Sequence, residues 1–155
     1  FVEEGLVVGE SGYIKKKMDE VVDGATFQDH FRDVLGNPDA EYSYLYDDDE
    51  RDELLFVLMR TLAVGGSMCQ WDDKWDRYLS ICRDLYKDLV KVRKNPHTGA
   101  LEIQSRAWTI EKLASSTAGK MHLFPTPSIH NQCLVILDPS SRTGTILYAP
   151  FVPFW

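Results

Sequence analysis

The acidic run 47–53 is the first stretch whose residue types could do chemistry, because calcium loops are also rich in carboxylates. Such a loop takes oxygen ligands at alternating positions, needs a glycine at its sharp turn and closes with a glutamate. Here Arg51 stands at a ligand position, and no glycine follows before Gly65. The run is more typical of a helix start, where carboxylates face the positive end of the helix dipole and Asp48 or Asp49 caps free N–H groups.

Cys69 is the candidate nucleophile, since it follows a glycine pair near a predicted helix start, where the helix dipole lowers a thiol pKa. A catalytic thiol also needs a positioned base, and no histidine is close to Cys69 in sequence. Its apolar neighbours favour a packed thiol, so a cysteine hydrolase stays only an alternative. The odd cysteine count, completed by Cys82 and Cys133, predicts reduced core thiols of a cytosolic protein.

Metal and cofactor chemistry find no support in the motifs. The histidines and cysteines lack the Cys-x-x-Cys or His-x-x-x-His pairings that build zinc sites. We therefore expect no catalytic residue, no cofactor and no metal, which corresponds to a protein that is not an enzyme.

Charge is distributed unevenly between the two halves of the chain. Residues 1–76 carry 19 acidic and 7 basic side chains, whereas residues 77–155 carry 5 acidic and 10 basic ones. The acidic half argues against nucleic acid and suggests a protein partner with a basic surface. No apolar run approaches the roughly 18 residues of a membrane span, so we expect no membrane partner.

Two groups of charged side chains are the predicted protein interface. The acidic group lies in the run 47–53, and the basic group lies beside Tyr86. The other interpretation of the basic group is a patch that binds nucleic acid. A pI near 5.0 argues against nucleic-acid binding. The candidate interface residues are Asp48, Asp49, Glu50, Asp52, Lys91, Arg93 and Lys94.

The apolar carboxy-terminal tail adds three further interface candidates, Phe151, Phe154 and Trp155. Two prolines in the tail exclude a central strand. The tail either folds back over the sheet, which we favour, or stays exposed as an anchor for a partner.

Two helices hinged on Gly65 and Gly66 are expected to organise the chain. Leu54, Leu58 and Leu62 share one helical face, and apolar residues between Trp71 and Leu89 recur at steps of three and four. Gly65 ends the first helix, and Ser67 caps the second. Helices joined this tightly must pack on each other or on a common layer.

The segments before these helices are predicted to be helical as well. A helix begins at Ser11 and turns Ile14, Met18, Val21 and Val22 inward, and a shorter one begins at Thr26 and ends at Gly36-Asn37-Pro38. The connector 39–46 contains alternating tyrosines that are compatible with a short edge strand.

Beyond Leu89 the apolar period changes from helical to twofold. A first hairpin turns at 95–99, a break is expected near Arg106, and a second hairpin joins 133–137 to 145–149. The run 134–137 is apolar at every position, which marks a strand covered on both faces or a central one. We therefore predict one α+β domain, residues 1–155, with helices at about 10–88 packed on an antiparallel sheet of hairpins at about 89–149.

Three segments closely resemble the carboxy-terminal half of the cilia- and flagella-associated protein three hundred family. They are DERDELLF at 49–56, LAVGGSMCQWDD at 62–73 and LYKDLVKVRKNPHT at 85–98. The resemblance covers most of residues 10–149, whereas the tail from Pro150 departs from the family pattern. Since the chain also begins without methionine, we expect a fragment of a longer protein.

The resemblance implies a non-enzymatic factor of motile cilia and flagella. Its implied role is the cytoplasmic assembly and delivery of axonemal dynein arms, with outer-arm heavy or intermediate chains and dynein assembly factors as partners. The implied location is the cytoplasm and the cilium, in its matrix or axoneme. A structural component bound to doublet microtubules is the alternative.

Overall fold

The computed structural model describes residues 1–65, 72–113 and 122–153. In this part of the chain, four α-helices follow one β-hairpin at the amino side and precede a second β-hairpin and a three-stranded sheet at the carboxy side. The helices are α1 His30–Gly36, α2 Asp48–Asp52, α3 Leu54–Val64 and α4 Trp75–Leu89. The strands are β1 Lys16–Val22, β2 Ala25–Asp29, β3 Val92–Lys94, β4 Leu101–Ile103, β5 Arg106–Thr109, β6 Gln132–Asp138 and β7 Thr143–Ala149.

The prediction of a helix from Ser11 was wrong, because β1 and β2 form an antiparallel hairpin. Its two-residue turn, Asp23-Gly24, has φ values of 48° and 79°, as an Asp-Gly hairpin turn requires. Met18 is 88% exposed, so it does not belong to a buried helical face. The buried side chains alternate along β2 instead, with Phe27 at its centre.

The helix predicted from Thr26 begins four residues later, at His30. Asp29 is its N-cap and accepts a hydrogen bond from the backbone N–H of Arg32 at 2.8 Å. The helix ends at Gly36, as predicted. A side chain is excluded there, since a Cβ on Gly36 would lie 2.6 Å from the Phe27 ring. The tyrosine connector forms a 3₁₀ helix, Ser43–Leu45, and not an edge strand.

The acidic run does form a helix start, as predicted. The cap is Asp47 and not Asp48 or Asp49: Asp47 accepts from the Glu50 N–H, and the Glu50 carboxylate accepts from the Asp47 N–H. The chain then breaks at Glu53, so α2 and α3 are two helices and not one.

The packing of the central helix pair is confirmed. α3 ends at Gly65, whose φ is 75°. α3 and α4 pack on each other through a shared cluster that includes Leu58 from α3 and Cys82 from α4. The predicted cap at Ser67 and the first apolar residue, Trp71, lie outside the described residues.

Both predicted carboxy-terminal hairpins are present, but they do not form one sheet. β3 and β4 are a separate two-stranded sheet, and the break expected near Arg106 is where β5 begins another. In that second sheet β6 is central, in the order β5-β6-β7, as its apolar run predicted. Leu134 and Ile136 of β6 join the core of the helices, which confirms an α+β fold with helices packed on a sheet.

A buried polar network ties the amino-terminal hairpin to α4. Arg32, 1% exposed, pairs with the Asp29 carboxylate and donates to the carbonyl oxygen of Asp72 at 2.7 Å and to the Tyr78 hydroxyl at 2.5 Å. Burying charge is tolerated when it is paired and hydrogen-bonded. The network therefore fixes α1 and α4 relative to each other.

Candidate functional site

The acidic candidates lie together on α2, and all four side chains are exposed. Arg51, the one cation of this helix, points away from them and donates to the backbone carbonyls of Ser43 at 2.8 Å and Tyr46 at 3.2 Å. Within the described residues, no cation pairs with a carboxylate of this helix. The half-buried Tyr46 hydroxyl is affected by these charges, since partial burial and then the charge of Glu50 raise its pKa. We call Asp48, Asp49, Glu50 and Asp52 the acidic helix face.

The basic candidates lie on or beside the β3–β4 hairpin, which we call the basic hairpin, residues 91–103. Its base is held to the preceding helix and the following chain. The Lys91 N–H donates to the Ser105 hydroxyl at 2.7 Å, and the Gln104 N–H donates to the Lys91 carbonyl at 2.8 Å. Lys91, Arg93 and Lys94 are all exposed.

One face of the basic hairpin is mostly apolar, which the pattern of charged residues in the sequence does not reveal. The register pairs Val92 with Ile103 and Lys94 with Leu101, so these four side chains share a face. Val92, Ile103 and Leu101 are 56%, 62% and 73% exposed. The twofold alternation of Leu101 and Ile103 was visible in the sequence, but it suggested contact with a core that the hairpin does not reach.

The acidic helix face and the basic hairpin are separate surfaces. No hydrogen bond or ion pair in the described ranges joins them. The two groups of interface candidates therefore carry opposite charge without pairing with each other, and each can be altered alone.

The tail folds back at Phe151, as favoured, although it lands on β2 and not on the larger sheet. Phe151 is 5% exposed, packs with Phe27 and Val64, and lies 5.0 Å from the His130 ring, centroid to centroid. Its N–H donates to the Asn131 side chain at 2.8 Å. A side chain buried in this way offers no contact surface, so Phe151 is removed from the interface candidates. Phe154 and Trp155 lie outside the described residues.

The two described thiols are packed in the interior. Cys82 and Cys133 are free and buried, and burial raises the pKa of the Cys82 thiol, which disfavours the thiolate. Cys69, the candidate nucleophile, lies outside the described residues. In residues 1–65, 72–113 and 122–153, no group of three His, Cys, Asp or Glu side chains is placed to hold a metal ion. None of the helices described is long and apolar enough to cross a membrane.

Fold and surfaces together define a small α+β protein with a buried, ordered core and two charged outer surfaces. Comparison with known sequences gives its family. The sequence model of the family described as "Cilia- and flagella-associated protein 300" matches residues 1–149. The chain belongs to this family and is thus a cilia- and flagella-associated protein.

Two relatives of the same name show how much of the protein this chain represents. The protein from Chlamydomonas reinhardtii is 34% identical over 149 residues, which are 96% of this chain and 58% of the relative. The protein from Paramecium tetraurelia is 30% identical over 153 residues, which are 99% of this chain and 57% of the relative. The chain therefore spans somewhat more than half the length of these relatives. No solved structure matches it.

Proposed function

We propose that this chain is a non-enzymatic binding module for the cytoplasmic assembly and transport of axonemal dynein arms. Its partners in this proposal are dynein heavy or intermediate chains, of the outer arm in preference, or dynein assembly factors. The protein would act in the cytoplasm and in the matrix of the motile cilium, without nucleic acid or membrane as a partner. Membership in a cilia- and flagella-associated family supports the setting.

The observation that carries the binding role is the apolar face of the basic hairpin. A two-stranded hairpin is marginally stable alone, and its exposed face gains stability when something covers it. Burying a large aliphatic side chain fully contributes about 1.5–3 kcal/mol, and Val92, Leu101 and Ile103 are each more than half exposed. Lys94 on the same face favours an acidic partner.

The proposed mechanism is occupancy of an immature complex. The buried Arg32 network and the packed α3–α4 pair order the helical body that carries the acidic helix face, so little ordering entropy is lost there when a partner binds. A bound module would stabilise a dynein intermediate until delivery. No side chain has to perform a covalent step.

Charge reversal on the basic hairpin tests the proposal. In ciliated cells, tagged full-length protein carrying Lys91→Glu, Arg93→Glu and Lys94→Glu should capture at least tenfold less dynein chain or assembly factor than the wild type. The melting temperature should change by a few degrees at most, because these side chains are exposed.

The matched control reverses three dispersed, exposed cations, Lys15, Lys112 and Arg142, which gives the same change in net charge. Capture should survive in this control. Equal loss in both variants, or no loss in either, would reject the basic hairpin as the contact surface.

The alternative function is a structural component bound along the doublet microtubule, because a basic apolar surface also suits an acidic filament. Salt extraction of isolated axonemes separates the two. A transport or assembly factor is recovered mostly in the cytoplasm and matrix, whereas a structural component stays with the doublets.

A further inference from the structure

An apolar groove opens beside the acidic helix face. Its volume is about 250 Å³, and its lining comes from all four helices together with Phe1, Tyr46 and Glu53. Leu55 and Met59 of α3 line one wall, and Trp75 and Leu79 of α4 line the other. The groove is thus a product of tertiary packing and not of any one helix.

The groove is large enough for one big apolar side chain. An apolar cavity of about 150 Å³ accepts a benzene molecule, so about 250 Å³ accepts a phenylalanine or leucine side chain. Leu55 is 48% exposed, and Trp75 and Leu79 are only partly buried. Filling the groove would remove this apolar surface from water, which favours binding.

The rim of the groove is negatively charged. The carboxylates of Glu50 and Glu53 line it, and in the part of the chain described here neither pairs with a cation. Asp48, Asp49 and Asp52 follow on the same short helix. An acidic segment would be repelled from this rim, and Lys or Arg next to an inserted apolar residue would be attracted.

We propose that this groove binds a peptide segment of a partner protein through one large apolar side chain flanked by Lys or Arg. The charge of the rim selects the cations, and the volume of the groove selects a single anchor residue, as in other apolar recognition grooves. The proposal rests on the proposed role as a binding module and gives the acidic helix face its own class of ligand, distinct from the acidic partner of the basic hairpin.

Synthetic peptides test this proposal with the full-length protein. The probe is a fluorescein-labelled ten-residue peptide with Phe-Leu at its centre, so that either residue can be the single anchor, and with Lys and Arg on both sides. Binding is measured by fluorescence anisotropy. Replacing Phe-Leu by Ala-Ala should weaken binding at least tenfold, and replacing the cations by Glu should abolish it. Equal binding of the Ala-Ala peptide would overturn the proposal, since it would mean that only net charge attracts the peptide.

Protein variants locate the contact. Leu55→Asp and Glu53→Lys should each weaken binding of the Phe-Leu peptide at least tenfold. Leu113→Asp and Glu10→Lys, which make the same changes at exposed positions outside the groove lining, should leave it within twofold. Wild-type affinity in Leu55→Asp, with an unchanged unfolding midpoint, would also overturn the proposal.

The two proposals fail separately. If the peptide does not bind but capture of dynein chains still depends on the basic hairpin, the groove is rejected and the proposed function stands. If the peptide binds and capture is independent of the hairpin, the groove proposal stands and the basic hairpin is rejected as the contact surface for dynein chains.

Discussion

Removal of the Arg32 guanidinium is the perturbation that tests the architecture most severely. Arg32→Met keeps a long apolar stem, but it takes the guanidinium from the fully buried Asp29 carboxylate, whose remaining donor among the described residues is the backbone N–H of residue 32. Breaking a buried ion pair in this way costs about 3–5 kcal/mol. The bonds to the Asp72 carbonyl and the Tyr78 hydroxyl are also lost, at about 1 kcal/mol each, which places the expected loss near the upper end.

Urea unfolding followed by far-UV circular dichroism measures this loss. With an m value of about 2 kcal/mol/M, a loss of 4 kcal/mol lowers the midpoint by about 2 M. Because domains of this kind have about 5–15 kcal/mol of stability, the change removes a large fraction of it.

A second substitution separates the charge from the packing. Asn at position 29 keeps the cap on α1 and removes the buried charge. Asp29→Asn/Arg32→Met should therefore be more stable than Arg32→Met alone by at least about 1 kcal/mol, since no unpaired charge stays buried. A loss below 1 kcal/mol in Arg32→Met, or no recovery in the double variant, would refute the role given to this network.

Three further predictions concern packing and protonation. Gly36→Ala should lower the free energy of unfolding, measured by urea denaturation, by about 1–2 kcal/mol. The cost of overpacking against the rigid Phe27 ring exceeds the roughly 1 kcal/mol of helix propensity that alanine gains. An unchanged or raised stability would contradict this prediction. Burial holds the pKa of His130 below its usual 6.5, so the unfolded chain binds the proton first and stability falls as pH drops below about 6.5. His130→Gln should flatten the plot of unfolding free energy against pH between pH 7 and 5. An identical slope in the wild type and the variant would contradict the assignment. Hydrogen bonds from Ser140 and then Ser141 lower the pKa of Asp138 to about 2. An NMR titration of the carboxyl carbon should give that midpoint, and Ser141→Ala should raise it. A wild-type midpoint near 3.8 would contradict these hydrogen bonds.

The central helix pair was predictable because its information is local. Leu54, Leu58 and Leu62 repeat at helical spacing, and Gly65 supplies the positive φ that ends α3. The apolar run of β6 likewise predicted a central strand, since both faces of such a strand are covered.

The amino-terminal hairpin was missed because two interpretations compete in the same residues. Ile14, Met18 and Val21 match a helical period, whereas Val21 and Val22 before Asp23-Gly24 match a strand entering a tight turn. Pairing with β2 decided the matter, and such pairing is not visible from one segment. The apolar period of the segment alone therefore could not distinguish a helix from a strand.

The buried network and the apolar groove depend on contacts distant in sequence. Arg32 is buried because Tyr78, 46 residues later, receives one of its hydrogen bonds. The groove needs Leu55 of α3 and Leu79 of α4, which lie 24 residues apart in the sequence. Charge counting found the acidic helix face, but only tertiary packing places an apolar floor beside it.

Cross-linking in cytoplasm of ciliating cells tests the central claim most directly, because a lysine-directed reagent reports which surface touches the partner. Full-length protein should form cross-links from Lys91 and Lys94 to dynein chains or dynein assembly factors, and the exposed but distant Lys15 should form few. Partner cross-links at Lys15 with none at Lys91 or Lys94, or links from the hairpin to tubulin alone, would contradict the account.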